Sequence, residues 1–260
     1  MCNLISIGRN RKARRPGPWA PPEQLDLPLY HVASAFDFPL LPVLRADKRW
    51  ELARWGLIPY WTRTEEKARQ IRTGAVNARS ESMWTRPAFE EAARSGRCLI
   101  LVDGFFEFHH HAGAAYPFYI YLEGHPDFFL AGLRDTWMNP ATGTEEVTCT
   151  IVTTAASSLM REIHNKLPQP EERRMPVIVP VERADAWLNP ATPVEELSGI
   201  VATREVPQMR AHPVARTLNH PKTRNNQASA QEPVDYPELS ELAELARSAG
   251  VGKRIDPYSR

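Results

Sequence analysis

The chain has 260 residues, 42% of them hydrophobic and 24% charged, which is typical of a globular protein with one large domain or two small ones. No apolar run approaches the roughly 18 residues of a membrane span. The first basic residues follow a short apolar stretch instead of preceding it, which is the reverse of a signal peptide. We therefore expect a cytoplasmic protein. Because the formal net charge is only +1, any nucleic-acid surface must come from local clusters of basic residues.

The N-terminal part of the chain predicts an arm followed by a hairpin. Residues 8–28 combine a basic run with several prolines and are predicted to form a loop or arm. Leu41–Arg45 and Glu51–Ile58 read as two strands joined by a turn at Asp47. Residues 62–72 are polar and charged, and they indicate a surface loop or short helix.

The remaining pattern is mainly one of short strands bounded by glycine and proline. These strands are predicted at Cys98–Asp103, Phe118–Leu122, Phe128–Leu133, Val147–Thr153, Met175–Val179 and Pro207–Val214. Helices are predicted at Ser82–Arg94, Ala155–Glu162, Glu182–Leu188 and Leu239–Arg247. This pattern favours an α+β fold: a single domain with a largely antiparallel, barrel-like β-sheet core and peripheral helices. We expect that domain to span residues 1–235, with a C-terminal helix and tail at 236–260.

The three cysteines are too few and too scattered for a disulfide framework, and no ligand spacing indicates zinc. We expect neither a metal nor a cofactor. Cys98 and Cys149 lie in apolar strand segments and are expected to be buried. Cys2 differs because it follows the initiator methionine directly.

Removal of Met1 would leave Cys2 with a free α-amine beside its thiol. The reference pKa values are about 7.7–8.0 for the amine and about 8.5 for the thiol, so part of the amine is neutral in the cell. Such an aminothiol can act as an N-terminal nucleophile, or it can condense with an aldehyde to close a thiazolidine ring. A ring-opened abasic deoxyribose supplies that aldehyde. The alternative is an incidental cysteine at the second position.

Two polar motifs add candidate site residues. In Val76–Glu81, Asn77 offers hydrogen bonds to a reacting centre and Arg79 offers a phosphate contact, although Asn and Glu also cap helices. Glu107 follows a buried strand and is surrounded by phenylalanines, which suits a proton donor or acceptor. Its alternative is an outward-facing position on a strand.

Histidines provide the last candidates. His164 lies between a predicted helix and a predicted strand, where it is suited to acid–base chemistry near neutral pH or to a structural role. The triplet His109–His111 is expected to be a solvated loop rather than a metal-binding tract.

In their order along the chain, these motifs resemble the SRAP family, the SOS response-associated peptidases. The resemblance covers most of residues 1–235, and His212–Val214 is similar to that family too. The motifs that carry it are Met1-Cys2, Trp55-Gly56-Leu57-Ile58-Pro59, Asn77-Ala78-Arg79-Ser80-Glu81, Asp103-Gly104-Phe105-Phe106-Glu107, Ile163-His164 and Arg174-Met175-Pro176-Val177-Ile178.

The resemblance implies a β-rich domain that binds single-stranded DNA containing abasic sites, acting as a monomer. It implies self-processing that exposes Cys2, followed by a thiazolidine cross-link between Cys2 and the abasic site. Asn77 would position the sugar or the α-amine, Glu107 would transfer protons, and His164 would assist opening of the sugar and reversal of the link.

The resemblance also suggests which residues contact DNA. Arg79 and Arg174 are candidate phosphate contacts, Arg86 is a further candidate, and Trp61 would stack on a base or belong to the core.

Two departures from the family pattern concern the site. Asn3-Leu4 stands where many members have Gly-Arg, so the arm at Arg9–Arg15 is a candidate replacement for that basic residue. Residues 165–172 look like an insertion that separates His164 from Arg174.

Two other functions remain open at this stage. A cysteine peptidase acting on other proteins would pair Cys2 with His164. A non-enzymatic binder of single-stranded DNA would have no use for Cys2. Replacement of Cys2 discriminates among the three functions.

Overall fold

The structure is a computed structural model that describes residues 2–8, 19–22, 24–167, 169–224 and 226–249. The predicted arm at Arg9–Arg15 and the predicted tail from residue 250 lie outside the described residues. The strands, in chain order, are β1 Leu4–Ile7, β2 Tyr30–Ser34, β3 Leu40–Leu44, β4 Trp50–Trp55, β5 Asn77–Arg79, β6 Arg97–Val102, β7 Gly104–His111, β8 Ala114–Leu122, β9 Phe128–Met138, β10 Glu145–Ala155, β11 Arg174–Pro176, β12 Ile178–Val179 and β13 Met209–Pro213. The helices are α1 Glu65–Gly74, α2 Glu90–Ser95, α3 Ser158–Ile163, α4 Val181–Leu188, α5 Val194–Ala202 and α6 Ser240–Ser248.

Five strands close a barrel. β4 pairs with β3, β3 with β6, β6 with β9 and β9 with β10, all antiparallel, and β10 returns to β4 in a parallel pair. The core cluster contains Trp55, which is fully buried and donates from Nε1 to the Val76 carbonyl at 2.7 Å. The predicted α+β fold with a largely antiparallel, barrel-like core is confirmed, and so is the β3–β4 hairpin.

A second sheet has the order β13-β8-β7-β1-β2. It is joined closely to the barrel, since only Asp103 separates β6 of the barrel from β7 of this sheet. Gly104 at this junction leaves room for Tyr119, because a Cβ at this position would lie 2.5 Å from the tyrosine ring. The Tyr119 hydroxyl in turn lies 3.0 Å from the Ser6 hydroxyl, which joins β8 to β1.

Arg97 connects two helices to the barrel. Its guanidinium donates to the Ala93 and Arg94 carbonyls at the end of α2, and to the Trp187 and Asn189 carbonyls at the end of α4, at 2.6–3.0 Å. These carbonyls have no partner within their helices, and the cation opposes the negative end of each helix dipole. Among the described residues, no helix is long and apolar enough to cross a membrane.

Two local predictions are wrong. The predicted loop at His109–His111 is instead the end of β7, which pairs with β8 and turns at Ala112-Gly113. Both turn residues have positive φ, +48° and +78°, as a two-residue hairpin turn of this type requires. The predicted helix over Ser82–Arg94 is also too long, because only Glu90–Ser95 is helical. Pro87 disfavours helical backbone at the residue before it, which explains the late start.

Helix α6 packs against β13, with Ala243 and Ala246 buried, and the Arg210 side chain donates to the Ala249 carbonyl. The division of the chain at residue 235 stays a prediction.

Candidate active site

Strand β1 positions Cys2. It lies between β2 and β7, and the register pairs Leu4 with Phe106. The Ala35 amide extends the pairing by donating to the Asn3 carbonyl at 2.9 Å. Cys2 is fully buried in the core cluster immediately before this strand. The N-terminal segment is therefore held firmly in the sheet.

Asn77 binds this segment from the barrel side. It begins β5, which runs parallel to β10. Its Nδ2 donates to the Cys2 carbonyl and to Asn3 Oδ1, both at 3.0 Å. Its Oδ1 is buried and accepts no hydrogen bond from the described residues. A buried acceptor next to Cys2 suits a donor that arrives during a reaction.

The buried Cys2 thiol is protonated at cellular pH. Burial raises the pKa of the thiol strongly, and the negative charge of Glu107 raises this pKa further. The positive charge of the N-terminus lowers this pKa, but by less than these two effects raise it. A nucleophilic sulfur in this site requires removal of its proton at the moment of reaction.

Glu107 lies on β7, one residue beyond the Phe106–Leu4 pair. It is buried, its Oε1 accepts from the Phe108 amide at 3.3 Å, and its Oε2 is 3.8 Å from His164 Nδ1. The carboxyl therefore lies beside His164 and acts electrostatically on the Cys2 thiol, which suits a group that transfers protons.

His164 caps the C-terminus of α3 and is buried. Its Nδ1 lies 3.0 Å from the Arg174 carbonyl, which fixes the ring next to β11. Helix α3 is held to β7 through His109 Nδ1 and the Glu162 carbonyl, 2.8 Å apart. The sequence prediction that joined Glu107 with His164 thus corresponds to two adjacent side chains.

Protein groups accept hydrogen bonds from four of the five N–H donors of Arg174. Its two terminal nitrogens donate to Glu81 at 3.1 and 2.8 Å, and the Thr153 carbonyl and hydroxyl accept from it at 2.6 and 3.3 Å. Burial alone would raise the pKa of Glu81, but the hydrogen bonds and charge of Arg174 outweigh burial and lower it. Glu81 therefore stays ionised as the fixed partner of this arginine.

An open cavity of about 600 Å³ joins these groups. Glu107, His164, Arg79 and Arg174 line it, and Cys2 and Asn77 lie directly behind Asn3, which also lines it. Trp61 and Arg86 are exposed but do not line this cavity, and their proposed DNA contacts stay predictions.

Several lining residues were not singled out from the sequence. These are Asn3, His110, Lys166, Glu172 and Asn219. Asn3 adjoins Cys2, and Lys166 follows His164 closely. Their nearness in sequence to predicted site residues was the signal that could have identified them. His110 gave no such signal because its segment was predicted to be a loop. Glu81 was part of a quoted motif, but its pairing with Arg174 could not be inferred.

Known proteins resemble this chain in sequence and in fold. The family described as SOS response associated peptidase (SRAP) matches residues 9–221. The abasic site processing protein YoqW of Bacillus subtilis (strain 168) is 32% identical over 197 residues, which are 75% of this chain and 82% of that protein. The abasic site processing protein HMCES of Gallus gallus is 28% identical over 218 residues, covering 76% of this chain and 61% of that protein.

A crystal structure of a protein from Bacteroides thetaiotaomicron superposes with a TM-score of 0.78 at 29% identity, covering 90% of this chain and 100% of that one. Because the family match extends over most of the sequence and the fold agrees, the chain belongs to the SOS response-associated peptidase (SRAP) family.

Proposed function

We propose that this protein processes abasic sites: it binds single-stranded DNA and captures the lesion as a thiazolidine cross-link on Cys2, after it has removed its own Met1. The relatives named as abasic site processing proteins support the DNA substrate. The observation that carries the chemistry is the convergence of Asn77, Glu107 and His164 on the segment that begins with Cys2.

Removal of Met1 comes first, because the Cys2 nitrogen is an amide while Met1 is attached. Glu107 takes the proton of the Cys2 thiol, and the sulfur attacks the Met1 carbonyl. The Cys2 nitrogen leaves as the amine, and water hydrolyses the resulting thioester to release methionine. Asn77 supports this step by holding the Cys2 carbonyl at 3.0 Å.

Capture follows at the aldehyde of the ring-opened sugar. The neutral Cys2 amine adds to C1′, the carbinolamine loses its oxygen as water, and an imine forms. The thiol then adds to the imine carbon, and its proton passes to the nitrogen, which closes the ring. Glu107 carries the protons, His164 assists ring opening and reversal, and the unsatisfied Asn77 Oδ1 accepts from the new amine.

DNA reaches the site along the open cavity. Arg79 is exposed on the lining and suits a phosphate contact. Arg174 supports the wall through Glu81 and faces the lesion with its remaining surface. We assign Arg86 and Trp61 to contacts with the part of the DNA strand that lies beyond the cavity. The protein acts as a monomer in the cytoplasm, at the nucleoid, and uses no cofactor.

A peptidase that acts on other proteins is the alternative. It would pair Cys2 with His164, whereas the side-chain charge that acts on the Cys2 thiol is that of Glu107.

The test is denaturing electrophoresis after the protein is mixed with a single-stranded oligonucleotide that carries one abasic site. We expect a heat-stable shifted band with the wild type, none with Cys2→Ala or Cys2→Ser, and none with an intact oligonucleotide. No shifted band from protein that has lost Met1, as verified by mass, would overturn the proposal. Cleavage of an unrelated protein that depends on Cys2 would favour the peptidase.

A further inference from the structure

The segment that connects His164 to Arg174 forms one wall of the cavity. Of its residues 165–173, Lys166, Leu167 and Glu172 line the same space as Glu107 and His164. Lys166 and Leu167 lie only two and three residues beyond the catalytic histidine of the proposed reaction. The segment is therefore next to any strand that delivers a lesion to this site.

The segment is anchored at both ends. Asn165 makes two hydrogen bonds to the backbone of β7. Its Oδ1 accepts from the His110 amide at 2.7 Å, and its Nδ2 donates to the His110 carbonyl at 2.9 Å. Arg173 donates to the Leu167 carbonyl at 3.0 Å and to the Arg161 carbonyl at 2.7 Å. Lys166 thus extends from a fixed backbone, which lowers the entropic cost of binding a ligand.

The charged side chains that line the cavity differ in whether other protein groups already bind them. Among the described residues, the Lys166 ammonium and the Arg79 guanidinium have no hydrogen-bond or ion-pair partner, whereas Arg174 is neutralised by Glu81. Glu172 is the exposed acid on the same wall, and Glu107 is buried beside His164. Burial lowers the pKa of His110, and the nearby charge of Lys166 lowers it further, which indicates that Lys166 stands close to this ring.

We propose that Lys166 binds a backbone phosphate of the single strand, held in place by the hydrogen bonds of Asn165 and Arg173, with Arg79 as the second phosphate contact at the cavity. The inference rests on the proposed function, since it assumes that single-stranded DNA enters this cavity. It assigns to this segment a binding role that the N-terminal Asn3-Leu4 cannot supply, because neither side chain is charged.

The experiment separates phosphate binding from covalent capture. The probe is a single-stranded oligonucleotide with a tetrahydrofuran abasic analogue, which has no aldehyde and cannot be cross-linked. Its dissociation constant is measured over a range of salt concentrations for the wild type, Lys166→Gln and Lys67→Gln. Lys67 is a matched control, because it is exposed on α1 and does not line the cavity.

Loss of one phosphate contact should reduce the slope of log K against log salt by about 0.7 in Lys166→Gln. Lys67→Gln should retain the wild-type slope. A series of probes with one neutral methylphosphonate at each position near the analogue then locates the contact. At one position the substitution should weaken wild-type binding but leave binding to Lys166→Gln unchanged.

Equal slopes and equal methylphosphonate profiles for the wild type and Lys166→Gln would overturn the inference. So would a wild type that binds no probe. A wild type that shows the predicted slope change but forms no cross-link with an aldehyde-bearing oligonucleotide would leave the inference standing and remove the proposed function. Lys67→Gln should cross-link as the wild type does, because Lys67 does not line the cavity.

Discussion

At the scale of single residues, the site depends on the hydrogen bonds of one amide. Asn77 Nδ2 holds two oxygens, the Cys2 carbonyl and Asn3 Oδ1, and this fixes the start of β1 against the barrel. The same contacts leave Asn77 Oδ1 as a buried acceptor without a partner among the described residues. Donor and acceptor therefore have separate tasks: Nδ2 holds the resting chain, and Oδ1 is available to the reaction.

Replacement of Asn77 by aspartate tests this division. The carboxylate would have the shape of the amide but would have no hydrogen to donate to the Cys2 carbonyl or to Asn3 Oδ1. We expect Asn77→Asp to lower the free energy of unfolding at pH 7 by about 1–3 kcal/mol in urea titrations, and by more than Asn77→Ala. We also expect slower cross-linking, because the Cys2 segment is no longer held.

The matched control is Asn189→Asp. The Oδ1 of this exposed residue accepts from the Ala191 amide at 3.0 Å, and aspartate retains an acceptor there. We expect little change for this variant. If Asn77→Asp is as stable as the wild type, the donor role of Asn77 is wrong.

At the scale of elements, short β11 carries a pair that supports the cavity wall. Arg174 on this strand reaches Glu81, which follows β5, and both strands lie against β10. The ion pair between Arg174 and Glu81 thus joins β11 to the end of β5, and these two segments flank the site. The Glu81 side chain is 56% exposed, so solvent screens the pair and limits its contribution to about 1 kcal/mol or less.

The pair makes stability depend on pH in a defined direction. The pKa of Glu81 is lower in the folded protein than in the unfolded chain, so its contribution is present above the unfolded pKa, about 4.3. This contribution is lost as the pH falls through the folded value. We expect Glu81→Gln to be less stable than the wild type from pH 7 down to about 5, and this difference to shrink below pH ~4.

Urea titrations of both proteins across this range measure that difference. Glu244→Gln, on the exposed face of α6, is the control and should show no such convergence. A gap between wild type and Glu81→Gln that stays constant down to pH 3 would contradict the assignment.

Sequence patterns predicted the regular elements better than the irregular ones. Short apolar runs bounded by turn residues predicted the β3–β4 hairpin and the central strands, because these barrel strands are buried over most of their length. The four-residue β1 was not predicted, since its pairing with β7 involves residues about 100 positions away. For the same reason, the partner of Arg174 could not be predicted, because Glu81 is 93 residues away from it in the sequence.

At the scale of the whole molecule, the fold gathers distant parts of the chain around one cavity, with Glu107 and His164 on its lining and Cys2 and Asn77 behind Asn3. Cys2 precedes β1, Asn77 begins β5, Glu107 lies on β7 and His164 ends α3. The barrel supplies Asn77 and the second sheet supplies Cys2 and Glu107, so the site forms where the two sheets meet. Motif order indicated these four residues, whereas their contacts depend on strand register and could not be predicted from sequence.

The most direct measurement is the intact mass of the complex formed with an abasic single strand. We expect one species, equal to the protein without Met1 plus the oligonucleotide minus one water, with the adduct located on Cys2 by peptide mapping. An adduct that retains Met1, or one located on another amine such as Lys166, would contradict this expectation.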